Sequence, residues 1–265
     1  MACVTNKATG HLICEREIES MNETDTPIQT TLRIPGNWSH PGELLERMPA
    51  GYRLTPEALI LPDETQIECT PIPPDDQFAQ IFESACRQPA TDDEMAIVNS
   101  YTVNVALTGP GGSMDSALSV MRAGAAIVRA GGAGVFIDNS ALAHGGDHWI
   151  EMAEDGGTDA LSFAFVAVVR GQHEIWTMGM HVLGFPDVVM RRSDLDADGD
   201  TIIEVICYLC ASDKPIRDGH WLADLDGLRF NAVATSSDEF DVGSPMYNPF
   251  GRLKLISMAD IAERN

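Results

Sequence analysis

Residues 175–188 read Ile-Trp-Thr-Met-Gly-Met-His-Val-Leu-Gly-Phe-Pro-Asp-Val. The pattern predicts a buried strand over Ile175–Leu183 that runs into a Gly-x-Pro-acid corner. Gly179 and Gly184 let another backbone approach closely, and Pro186, with no N–H, ends the ladder. Just upstream, Leu161–Val169 predicts a second strand, and Arg170-Gly-Gln-His-Glu174 between the two predicts a hairpin loop. With amphipathic helices on either side, this hairpin points to an α+β fold in which helices pack on a mainly antiparallel sheet.

Working outward, strands are expected at Thr30–Ile34, Tyr101–Leu107, Val135–Ile137, Leu228–Ala234 and Leu253–Ile256. Ala58–Leu61 and Gln66–Thr70 flank Pro62-Asp-Glu64 as a hairpin-like pair. Ser39 with Pro41 predicts a helix start, as do Asp75 and the capping box Thr91-Asp-Asp-Glu94. Ser113 opens the most periodic helix, with Ala117, Leu118, Met121, Ala125 and Val128 on one stripe. Two more helices are expected, over His144–Glu154 and Thr201–Ala211. The element order loosely echoes ferredoxin-like halves. It divides the chain into a loosely ordered arm (1–27), an N-terminal α+β subdomain (28–98) and a main α+β domain (99–265), with a single domain as the alternative.

Charge excludes several functions. The 265 residues carry 40 acids against 17 bases, a formal net charge of −23. Neutralising phosphates needs basic patches, so nucleic acid is not an expected partner, nor is an anionic membrane surface. Acidity of this kind suits solubility in a salty habitat first, and otherwise cation binding or a cationic partner. No run reaches the ~20 apolar residues of a membrane helix, and the first residues carry no apolar signal segment. A soluble cytoplasmic protein is expected. There the cysteines at 3, 14, 69, 86, 207 and 210 are core thiols rather than a disulfide framework, and the sequon at Asn37-Trp-Ser39 has no meaning.

Three stretches carry a family resemblance. They are Pro71-Ile-Pro73 before an acidic, aromatic helix start, the strand and small-residue helix of Tyr101–Gly134, and Gly179–Asp187 with its Gly-x-x-x-x-Gly-x-Pro-acid spacing. Together these resemble a bacterial domain family of unknown function, the forty-two-sixty-one family, over about residues 65–190. The family more usually has Glu where Asp187 stands. The resemblance implies an α+β fold and no assigned activity or catalytic residue.

Two patterns bear on metal chemistry. His144-Gly-Gly-Asp147-His148 has His-x-x-Asp-His spacing, which on a helix places i, i+3 and i+4 on one face. That is a zinc-type arrangement with Asp in place of Glu, needing His181 or Asp187 to complete the shell; Gly145 and Gly146 each cost a helix roughly 1 kcal/mol relative to Ala. Asp194-x-Asp196-x-Asp198-Gly199-Asp200 resembles the first half of a calcium loop, but Val205 occupies the position of the bidentate Glu. Gly109-Pro-Gly-Gly112 lacks the Lys-Ser/Thr of a phosphate loop and predicts a tight strand-to-helix turn. Cys207-x-x-Cys210 falls mid-helix, and His173 and His220 are expected at the surface. The reading is a non-catalytic binding or regulatory module of unknown ligand. Its alternatives are a metal-dependent hydrolase using His144, Asp147, His148 and His181, and a module stabilised by calcium at Asp194–Asp200.

Overall fold

Leu32 and Ile34 alternate with Thr31 and Arg33, so β1 (Gln29–Gly36) has one apolar face and one polar face. The computed structural model describes residues 27–195, 201–212, 216–224, 227–236 and 239–263. The expected arm therefore lies, up to residue 26, outside the described residues. After β1 come α1 (Pro41–Glu46), β2 (Arg53–Leu54), β3 (Ala58–Ile60), β4 (Gln66–Ile72), α2 (Phe78–Ala85) and α3 (Asp92–Val98). Then follow β5 (Val103–Pro110), α4 (Met114–Arg129), β6 (Gly134–Ile137) and β7 (Leu142–Gly145). These strands form a seven-stranded sheet in the order β2-β3-β4-β5-β1-β6-β7, and every neighbouring pair is antiparallel.

Helices α5 (Gly146–Asp155) and α6 (Thr158–Phe165) lead to a second sheet. Its elements are β8 (Ala167–Arg170), β9 (Glu174–Met178), β10 (Asp187–Arg191), α7 (Thr201–Ala211), β11 (Trp221–Asp224), β12 (Gly227–Thr235) and β13 (Arg252–Ser257), followed by α8 (Met258–Glu263). The six strands order β11-β12-β13-β10-β9-β8, and β10 with β13 is the one parallel pair among them. The fold is α+β and mainly antiparallel. The ferredoxin-like halves, each a four-stranded antiparallel sheet, do not form: the first sheet has seven strands, and the second has six with a parallel pair in the middle. β5 also pairs with both β1 and β4, so the first sheet takes strands from both sides of residue 98.

The local signals hold where the chemistry is specific. Thr91 and Glu94 make the reciprocal capping box of α3, and the Ser113 hydroxyl accepts the Ser116 N–H to cap α4. At α1 the cap is His40 instead of Ser39: His40 Nδ1 accepts the Glu43 N–H, while the Ser39 hydroxyl donates to the Glu43 carboxylate. Asp75 caps a turn that precedes α2, accepting the Gln77 N–H, and α2 itself has no side-chain cap.

Two apolar runs fold differently from expectation. Residues 158–165 are helix α6, and only 167–170 are strand. A short apolar run is compatible with either state by periodicity; the left-handed Gly156 ends α5 and Gly157 starts the next helix. The expected strand 175–183 ends at Met178, because Gly179 (φ 95°) turns the chain into a 3-10 turn over Met180–Leu183. A side chain at Gly179 would meet the Phe165 carbonyl at 2.3 Å, so only Gly fits there. Gly184 (φ 93°) ends the turn and β10 starts directly after Pro186.

One core joins the two sheets. Leu32, Ile34, Val105 and Leu107 face α4, α4 packs on α5 and α6, and α6 meets α7, which lies on β10. Ile175, Met190, Leu253 and Leu255 close that core from the second sheet. On the other face of the first sheet, Phe78, Phe82 and Val98 form a smaller cluster against Ala143 and Phe136. Among the described residues, no helix is long and apolar enough to cross a membrane.

Candidate functional site

The expected His-x-x-Asp-His face does not assemble. His144 belongs to β7 and α5 starts only at Gly146, since Gly145 takes extended angles as its cap. The imidazoles of His144 and His148 still meet, edge to face, with centroids 5.8 Å apart beside Trp149 and Phe163. His144 Nε2 lies 3.0 Å from the Ala164 carbonyl, and burial pushes this imidazole down to about 4. Asp147 is exposed, and it is its backbone N–H that is engaged, donating to Glu94 Oε1 at 3.1 Å. Among the described residues no group of three or more His, Cys, Asp or Glu side chains is arranged to hold a metal ion.

His181 and Asp187 serve elsewhere. His181 sits in the 3-10 turn with Nε2 3.1 Å from Asn139 Nδ2 and 3.0 Å from the Pro245 carbonyl. Burial lowers it to about 4. Asp187 is 3% exposed and accepts from Thr177 Oγ1 (3.1 Å), the Met180 N–H (3.3 Å) and Asn248 Nδ2 (2.8 Å). Burial raises its carboxyl to about 6, against those hydrogen bonds, which favour the charged form. This knot ties the 175–188 stretch to the chain around Asn248. Asp194 lies in a short 3-10 turn with Oδ2 buried and unpartnered. Asp196, Asp198 and Asp200 lie outside the described residues.

The remaining motifs are structural. The Gly111 and Gly112 N–H groups donate to the Ile28 and Val182 carbonyls, so they are not free for a phosphate. Cys207 and Cys210 lie on α7, and burial pushes the Cys210 thiol up to about 12. His173 and His220 are exposed, as expected.

A cavity that no sequence motif marks lies at the other end of the first sheet. The 16 residues of α4 cover β5, β1 and β6, whereas α1 has only six. The same apolar face continues past α4 through Val103, Val105, Cys69 and Pro71, leaving a cleft of about 660 Å³ beneath α1. Trp38, His40, Pro41, Leu44 and Leu45 form one wall and Leu54, Thr55 and Pro56 the opposite one. Trp38 is fixed by an Nε1–H bond to the Ala130 carbonyl (2.8 Å), and its ring fills the space a side chain at Gly36 would need. Pro71 lies beyond the last residue of β4 that pairs with β3, so its missing N–H costs no ladder bond on that side. Burial raises the Cys69 thiol to about 11, which keeps it protonated and unreactive. A volume of this size, with mostly apolar walls and a few polar groups, matches a small-molecule site.

A larger hollow of about 840 Å³ beside Trp176 is more open and has charged side chains, Glu174, Arg191 and Arg192, in its lining. Its arginines are engaged: Arg191 pairs with Asp260 and Arg192 donates to the Gly171 carbonyl. Compared with known protein families, with curated proteins and with solved structures, the chain matches none.

Proposed function

We propose that this protein is a non-catalytic binding module whose ligand lies in the cleft beneath α1. The observation that carries this reading is a mostly apolar cleft of about 660 Å³ that the side chains of the described residues leave unfilled. The buried titratable groups support binding over catalysis, because neither His144, His181 nor Asp187 lines the cleft. His144, His181 and Asp187 each meet a partner within the protein. With a net charge of −23, the protein is read as binding neither nucleic acid nor anionic membrane.

The test is titration with Nile red, an uncharged dye whose emission shifts to the blue in apolar surroundings. One dye should bind per chain. Leu45, half exposed at the mouth, allows a variant whose folding is undisturbed: Leu45→Trp narrows the cleft and should weaken the dye at least tenfold. Dye binding that ignores both Leu45→Trp and a second filling variant, Val103→Trp, would remove the cleft as the ligand site.

A further inference from the structure

The cleft beneath α1 opens past Pro56, Cys69 and Pro71 into a second hollow, and those three residues line both. The second hollow is different in kind. Glu57, Gln66, Glu68 and Thr70 surround it, and no Lys or Arg among the described residues lines either space. The wall between the two is a turn held at several points. The Thr55 hydroxyl donates to the Ala58 carbonyl and accepts the Ala58 N–H, each at 2.9 Å, and the Glu57 carbonyl accepts the Cys69 N–H at 3.0 Å. Pro56 and Glu57 are therefore fixed against β4, and Ala58 pairs with Glu68 across the hairpin.

The charge around this groove has one sign. Arg47 pairs with Glu43 and Arg53 with Glu64. Glu57 and Glu68 are exposed and have no ion-pair partner among the described residues. An exposed ion pair is screened by water and salt and is worth at most about fivefold in affinity. A single amine headgroup would thus gain little here. Several bases carried on one segment add their contributions, and the field of a protein with a net charge of −23 steers them in. At about 660 and 540 Å³, the joined hollows also outgrow the roughly 300–1,000 Å³ of a small-molecule pocket. The occupant does not add as a strand. Cys69 already uses its N–H on Glu57, and Pro71, next on that edge of β4, has none.

We infer, resting on the ligand site proposed above, that the joined groove docks a basic amphipathic segment of a protein partner. Bulky apolar side chains enter the cleft beneath α1, and lysine or arginine side chains lie over Glu57 and Glu68. The apolar end supplies the affinity, and the acidic end selects the sign of the partner and fixes its register.

The experiment is calorimetric titration of the full-length protein, at low ionic strength, with two short peptides. One contains leucine and lysine in equal number, and the other has glutamate in place of lysine. One lysine peptide should bind per chain, at least tenfold more tightly than the glutamate peptide, and added salt should weaken it. Leu45→Trp should weaken it at least tenfold. Glu57→Gln with Glu68→Gln should weaken it three- to tenfold and leave Nile red affinity unchanged, since neither residue lines the cleft. Glu83→Gln with Glu151→Gln removes the same charge from exposed positions on α2 and α5 and should change peptide affinity less than twofold. Equal losses in the two double variants would overturn the groove contact and leave attraction to net charge alone. A glutamate peptide that binds as tightly as the lysine peptide would overturn the basic partner and leave the cleft standing as a site. So would a lysine peptide unaffected by Leu45→Trp in a protein that has lost the dye. Dye binding insensitive to both Leu45→Trp and Val103→Trp would instead mean that the site reading itself had failed.

Discussion

The knot around Asp187 and the cleft beneath α1 are opposites. At Asp187 a charged group is taken out of water and three donors close on it; at α1 apolar surface faces a space that none of the described residues fills. The first has the chemistry usually searched for in an active site, a buried carboxyl with a displaced pKa. It nonetheless acts as a tie between chain segments. The second has almost no chemistry and is the ligand site we propose. A perturbed titratable group therefore marks function only where it faces open space, and structural networks perturb such groups equally well.

The comparison is tested most severely at Asp187. Asp187→Leu leaves the donors of Thr177, Met180 and Asn248 buried and unpaired, and should cost roughly 3–5 kcal/mol. A denaturant titration reads this directly, and a loss below about 1 kcal/mol would mean that the knot is not a tie.

Next is the dependence on pH. For His144 and His181 the folded pKa is depressed to about 4 from 6.5, so their contribution is present above pH 6.5 and is lost as pH falls toward 4. Asp187 has the opposite sign: its pKa is raised from 3.8 to about 6, so its contribution is present below pH 3.8 and is lost as pH rises through 6. Between pH 6 and 4 two histidines thus oppose one aspartate. Stability should fall on acidification by roughly 1 kcal/mol per pH unit from these groups. In His144→Gln the slope should flatten by about that amount, and equal slopes in variant and parent would show that His144 is not held neutral.

Smaller effects separate scaffold from site. Ser113→Ala removes the cap of α4 and should cost about 1 kcal/mol, seen as a lower melting temperature with dye affinity intact. Leu45→Trp should do the reverse, changing stability by no more than about 0.5 kcal/mol while dye binding collapses. A Leu45→Trp protein that melts much earlier would mean that the mouth of the cleft belongs to the core.

What the sequence conveyed follows from how local each signal is. The capping box of Thr91 and Glu94, the cap at Ser113 and the hairpin of β8 and β9 are each decided within a few residues, and each forms. His144 was misplaced because its state depends on pairing: Val135 lies opposite it on β6, and that register outweighs the helical spacing to His148. The run 158–165 was ambiguous for the same reason, since an apolar stretch takes the state its neighbours can cover. Gly179 and Gly184 do allow the close backbone approach expected of them, to the Phe165 and Gly112 carbonyls, though at the ends of a 3-10 turn and not within a strand. The cleft was invisible because its walls come from four separated stretches, around residues 38–45, 54–56, 69–71 and 102–105. Its cause is the shortness of α1, and no motif records an element that fails to cover its sheet.

The place of β1 has a consequence for synthesis. It is the first strand of the sheet to leave the ribosome, yet its neighbours are Val103–Pro110 and Gly134–Ile137. Until those segments emerge, Leu32 and Ile34 have no cover and both edges of β1 stand open. The β3–β4 hairpin can close early, because its halves adjoin in sequence. The nascent chain therefore carries an unpaired apolar strand over at least the 66 residues that separate Gly36 from Val103, and that interval is when chaperone holding should matter most.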